Sequence, residues 1–309
     1  MIANINKNMN INIPFYLLAI LVPLFLITAC TDVNDYMPQE IQDAEQPSIE
    51  GAKTFRALHP QALHSYAVND RTIHYAELKQ KIPPRPLIIF IHGSPGLWRS
   101  WVRYLNDPIL QKAANMIAMD RPGFGGSGSG DIERSLLKQS EAIAPLLSHG
   151  VPNQKVILVG HAYGATLAAR IAMAYPDKVT DLVLMSAPLD PSQQTESWYQ
   201  YVADWPPFTW VLPKEIIVFN REYLGLEQQL NEMLPLWSKI SQPVSILYGE
   251  QDEEVPIANA DFAKKMLTHA RSVNIVRIPN MNHFIPWLRF DMVKAEILRH
   301  MGLLALKNR

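Results

Sequence analysis

The chain has 309 residues, enough for one large hydrophobic core and near the upper size for a single one. Its 28 basic and 29 acidic residues leave a formal charge of −1, and the basic residues are scattered, which argues against a nucleic-acid surface. A single cysteine rules out an intramolecular disulfide, and without a P-loop, metal-ligand cluster or internal repeat no cofactor or metal is expected.

Lys7 and the free amine are followed by Phe15 to Ala29, an almost unbroken apolar run. It is short for a membrane span, which needs about 20 residues, and reads as a secretory signal over residues 1–29. The run closes on Leu26-Ile27-Thr28-Ala29-Cys30, which resembles a bacterial lipobox, where small residues precede a cysteine that is acylated and becomes the new N-terminus. Cys30 is therefore the expected lipidation site. The expected location is the bacterial cell envelope, as a membrane-anchored lipoprotein facing the periplasm. An uncleaved signal anchor with an incidental cysteine is the plainer alternative. Residues 30–54 are polar, acidic and proline-containing, and read as a flexible tether.

Beyond the tether, apolar strands alternate with turn-rich loops. Pro86 to Ile91 is a β-branched run ending in His92-Gly93-Ser94-Pro95-Gly96. Asn115 to Met119 forms a second strand, followed by Asp120-Arg121-Pro122-Gly123-Phe124-Gly125-Gly126-Ser127, a loop too rich in Gly and Pro to be helical. Lys155 to Val159 leads into Gly160-His161-Ala162-Tyr163-Gly164, and an alanine-rich helix runs from Tyr163 to Tyr175. This is the strand, sharp turn and helix of a nucleophile elbow, with alanine where the serine of G-x-S-x-G would stand. A strand at Leu182 to Met185 follows. Val244 to Tyr248 is a strand that ends in Gly249-Glu250-Gln251-Asp252-Glu253-Glu254, and Val273 to Ile278 is followed by Asn280-Met281-Asn282-His283-Phe284.

From Leu63 to Gly302 these motifs resemble the α/β-hydrolase fold family, most closely its capped branch of prolyl aminopeptidases, epoxide hydrolases and C–C bond hydrolases. The resemblance implies a mostly parallel eight-stranded sheet with helices on both faces. The core would comprise residues 55–188 and 243–309, with a helical cap at 189–242. It also implies that Ala162 holds the nucleophile position, Asp252 is the acid and His283 the base. The backbone N–H groups of Ser94 and Tyr163 would form an oxyanion hole. His92 and His161 are more often structural in such a fold. Asp252 has a competing reading as a cap for the helix near Ile257.

The cap region is dense in aromatic residues, among them Trp198, Trp205 and Trp210. With Trp98 of the core, Trp205 and Trp210 are expected to line a pocket for a small apolar or aromatic ligand. The plainer alternative is that they only pack the cap onto the core. Three functional readings stay open. The chain is a ligand-binding pseudoenzyme, or a nucleophile-free enzyme using His283 and Asp252 as a general base, or an ester or peptide hydrolase in which Ala162 replaces a native serine.

Overall fold

The chain's structure is a computed structural model that describes residues 39–79, 85–150, 154–206 and 208–304. The expected signal and Cys30 lie outside these residues. Eight strands make one sheet: β1 (Leu63–Val68), β2 (Arg71–Leu78), β3 (Leu87–Ile91), β4 (Asn115–Met119), β5 (Val156–His161), β6 (Asp181–Met185), β7 (Val244–Gly249) and β8 (Val273–Ile278). Their order across the sheet is β1-β2-β4-β3-β5-β6-β7-β8, antiparallel at β1/β2 and β2/β4 and parallel elsewhere. The expected mostly parallel, eight-stranded sheet is thus the one that forms.

The central strands are strands because they are mostly apolar and covered on both faces. Every residue of β3, β5, β6 and β7 is buried, the pattern of parallel strands sandwiched between helices. Alternation then divides each strand between two cores. Leu87, Ile89 and Ile91 of β3 join one cluster, whereas Ile88 and Phe90 join the other. The hairpin of β1 and β2 turns at Asn69, which adopts φ 54°, a left-handed backbone that Asn tolerates.

Residues 39–54 of the expected tether form a helix instead. This helix, α1 (Gln39–Leu58), places Ser48, Ala52 and Phe55 on one buried stripe, at the four- and three-residue spacing of a helical face. Phe55 is fully buried, with its ring 5.5 Å from that of Trp98. The average polarity of the segment hid a stripe of only a few residues.

Two short helices, α2 (Val102–Leu105) and α3 (Pro108–Ala113), precede β4, and α4 (Leu136–Ile143) and α5 (Tyr163–Ala174) flank β5. The region expected as a cap folds as α6 (Trp198–Ala203), α7 (Phe208–Val211), α8 (Lys214–Tyr223) and α9 (Leu226–Met233). After α9 the chain tightens into a 3₁₀ turn over Leu234–Lys239, where Pro235 cannot donate an α-helical hydrogen bond. The chain then returns to the sheet and closes with α10 (Ala258–Met266), α11 (Ile285–Leu288) and α12 (Phe290–His300).

Candidate active site at the switch point of the sheet

β4 and β5 lie on opposite sides of β3, so the chain reverses direction across the sheet there. A crevice opens outside the carboxyl ends of strands at such a point. The loops after β3, β4, β5 and β7 converge on it.

β5 continues two residues beyond the expected strand end, to His161, and α5 starts at Tyr163. The whole reversal therefore falls on Ala162, at φ 50° and ψ −127°, a positive-φ conformation that L-residues rarely adopt. Its N–H donates to the Met185 carbonyl at 2.9 Å. Two glycines permit the turn: a Cβ at Gly160 would lie 2.5 Å from the Ala165 Cα, and one at Gly164 would lie 2.2 Å from the His92 carbonyl oxygen. Ala162 is itself buried, and its methyl faces Gly93 of the loop after β3. Tyr163, first residue of α5, has one of the N–H groups that a helix start leaves without an intrahelical acceptor. The loop carrying Ser94 thus lies against the turn carrying Tyr163.

Asp252 and His283 meet as expected. The His283 Nδ1 lies 3.1 Å and 3.0 Å from the two carboxylate oxygens of Asp252. Asp252 also accepts from the Val255 N–H at 2.9 Å and the Glu254 N–H at 3.1 Å. Burial pushes the Asp252 carboxyl up, but the hydrogen bond and charge of His283 outweigh it and hold the group below its ordinary value. For His283 burial favours the neutral ring, yet the charges of Glu254 and Asp252 prevail and hold the imidazole above its ordinary value. The second carboxylate is close: Glu254 Oε2 stands 3.7 Å from His283 Nε2. Sequence reasoning gave Glu254 no role of its own. It in fact flanks the other side of the ring.

His161 and His92 support the site from beneath. The His161 Nε2–H donates to the His283 carbonyl at 2.9 Å, and burial with the nearby His283 charge brings His161 down to about 3, so this ring stays neutral. His92 Nε2 accepts from the Arg121 N–H at 2.9 Å, leaving Nδ1–H to donate to the Gly93 carbonyl at 2.7 Å. Burial, then the Arg121 charge, hold His92 well below its ordinary value. Both histidines therefore act as neutral struts.

A network that sequence reasoning missed joins cap and core. Arg121 is fully buried and grips Glu222 of α8 through two hydrogen bonds, at 2.6 Å and 3.0 Å. Glu222 also accepts from the Ser94 hydroxyl at 2.6 Å and the Gln139 amide at 3.0 Å. The guanidinium also donates to the carbonyls of His92 and Gly93, and the rings of Phe124 and Tyr163 lie 4.8 Å and 4.6 Å from it. Every strong donor thus has a partner, which a buried ion pair requires. The signal was present in part: Glu222 lies four residues after the buried Val218, on the apolar stripe of α8.

The three tryptophans expected to line a pocket do not converge. Trp98 is buried under Phe55 with Arg56 above its ring, and so belongs to the core. Trp205 and Trp210 are 63% and 79% exposed on the outside of the cap. The cap aromatic that does approach the site is Tyr223; burial raises its phenol, and among nearby charges Glu254 adds most. Among the described residues no cluster of three or more His, Cys, Asp or Glu side chains is placed to hold a metal.

The α/β-hydrolase fold family model matches residues 86–212. Epoxide hydrolase 3 of Xenopus tropicalis is 29% identical over 184 residues, 55% of this chain and 47% of that protein. Epoxide hydrolase B of Mycobacterium tuberculosis is 30% identical over 107 residues, 33% of this chain and 29% of that protein. The matches span about half or less of these relatives' length. Among solved structures, a membrane phospholipase A described as a bacterial virulence factor superposes with a TM-score of 0.60 at 18% identity, covering 84% of this chain and 92% of that one. An epoxide hydrolase from Vigna radiata superposes with a TM-score of 0.60 at 16% identity, covering 78% and 98%. The sheet order, the turn after β5 and these likenesses agree: the chain has the α/β-hydrolase fold, and its residues 86–212 match the model of that fold family.

Proposed function

We propose that this chain is a membrane-anchored lipoprotein of the bacterial envelope, facing the periplasm, that binds a small apolar or aromatic ligand on a hydrolase scaffold without acyl-enzyme turnover. The observation that carries the reading is the methyl group of Ala162 at the turn between β5 and α5. A methyl has no lone pair to attack a carbonyl and no proton for His283 to remove. The imidazole supports the same reading. Glu254 and Asp252 favour its charged form, in which both ring nitrogens donate hydrogen bonds. Together with the N–H groups of Ser94 and Tyr163 it suits a ligand with one carbonyl or carboxylate end. The test is a fluorophosphonate probe with nitrophenyl acetate as substrate. The native protein is expected to remain unlabelled, and Ala162→Ser to acquire both label and hydrolysis. Labelling of the native protein at another serine would overturn the reading.

A second reading rests on the Asp252–His283 hydrogen bond, which is the orienting half of a general-base pair. Once neutral, Nε2 removes a proton from water, the water oxygen attacks an electrophilic carbon, and the leaving oxygen takes the proton back. With relatives named epoxide hydrolases, an epoxide is the first class to screen; ring opening would give a diol. Activity should rise with pH through the raised His283 value and vanish in His283→Ala. Turnover that survives that substitution would rule out the base.

A further inference from the structure

Exposed aromatic side chains are concentrated in one short stretch of the cap, whose solvent side is its aromatic face. Trp198, Tyr201, Trp205, Trp210 and Val211 are between 57% and 79% exposed, all within α6, α7 and the turn between them. The core hides its large aromatics, so this face is unlike the rest of the described surface. Tryptophan and tyrosine carry an apolar body with a polar edge, and they favour the level of the headgroups in a bilayer. Directly beside this face is a cavity of about 250 Å³, formed by Thr209, Lys214, Ile217 and Arg221 of the cap with Ser129 and Gly130 of the loop after β4. Thr209 sits in α7 between Phe208 and Trp210, so the cavity borders the aromatic face. Two cations stand in its wall, partly offset by Asp204, which accepts from the Arg221 Nε, and by Glu215, which accepts from the Ser129 hydroxyl.

We propose that the aromatic face of α6 and α7 docks into the interfacial layer of a phospholipid bilayer, with a lipid phosphate seated between Lys214 and Arg221. The inference rests on the reading of Cys30 as the lipid anchor, which sets the chain on a membrane. Covalent geometry lets the cap reach the same surface. Residues 31–38 separate Cys30 from α1 and span at most about 29 Å. Helix α1 is in turn docked by Phe55 and Arg56 against Trp98, beside the loop at the carboxyl end of β3, the end where the cap residue Glu222 meets Ser94. Anchor and aromatic face therefore act together as two membrane contacts, and two such signals hold far better than one.

The test places the full acylated chain in phosphatidylglycerol-containing vesicles, with brominated acyl chains as a contact quencher and iodide as an aqueous one. The expected result is bromolipid quenching of tryptophan emission together with loss of iodide quenching. Both effects should disappear in Trp198→Ser/Trp205→Ser/Trp210→Ser. Lys214→Glu should lower the docked fraction relative to the undocked one by roughly fivefold or more, since each basic residue near an anionic surface contributes about that factor. Mass analysis of the Cys30 peptide on the same sample separates the two ideas. Quenching without acylation supports docking and overturns only the anchor; acylation with full iodide access and no bromolipid quenching overturns docking. Loss of iodide access without vesicles, growing with protein concentration, would assign the face to a second copy of the chain and also overturn it.

Discussion

An alanine at φ 50° carries a backbone cost that glycine escapes, of order 1–3 kcal/mol for such conformations. Ala162→Gly is therefore expected to raise stability by about 1 kcal/mol after glycine's larger unfolded-state entropy is subtracted. Urea denaturation measures it, and an unchanged or lower midpoint would mean that the turn is not strained. Glu254 bears on the reverse experiment. Its carboxylate faces the same His283 nitrogen that a serine at 162 would need, so Ala162→Ser/Glu254→Gln should label faster with a fluorophosphonate than Ala162→Ser alone. Equal rates would show that Glu254 does not compete. The Asp252–His283 pair also sets a pH window. His283 is raised above its ordinary 6.5, so its contribution to stability is complete below that pH and is lost as pH rises through the folded value. Asp252 is lowered from 3.8, so its contribution is complete above that pH and is lost as pH falls through the folded value. Stability should thus plateau between the two, and His283→Gln should flatten the alkaline decline; an alkaline arm that persists unchanged would refute the assignment.

Helix α1 illustrates how few residues decide whether a polar segment is linker or structure. If it is part of the core, Phe55→Ala should cost about 3–5 kcal/mol, the range for a fully buried phenylalanine, whereas a loose tether would feel almost nothing. The strut between α8 and the core gives a second contrast. Glu222→Ala leaves the Arg121 guanidinium buried without its counter-charge and should cost about 3–5 kcal/mol. Arg121→Met/Glu222→Leu removes both charges and should recover a large part of that loss, as measured by denaturant titration of the full cycle. Equal losses for single and double variants would mean that packing, not charge, holds the cap.

At the scale of the whole chain, what was legible in the sequence was what is local. β3 to β7 announced themselves because a strand buried on both faces is mostly apolar, and Ala162 because two glycines bracket it within five residues. Asp252 and His283 were legible because each follows a recognisable strand by a few residues. Arg121–Glu222 was not, since its partners are 101 positions apart and meet only when the cap closes over the sheet. Nor was the outward placement of Trp205 and Trp210, which depends on how α6 and α7 pack. The N-terminal reading has its own check: the membrane fraction should contain a chain that begins at acylated Cys30, and a mass showing unmodified Cys30 would end that assignment. The hydrogen bond from Ser94 to Glu222 carries one more consequence, and it is kinetic. A ligand that enters beneath α8 is expected to wait for a movement that breaks the Arg121–Glu222 pair and releases the loop beside Ala162 in the same step. Entry and exit are then slowed by one common factor, so affinity is untouched while residence lengthens. In stopped-flow mixing the observed rate should cease to rise with ligand concentration and level off at the opening rate of the cap, and Glu222→Gln should lift that ceiling.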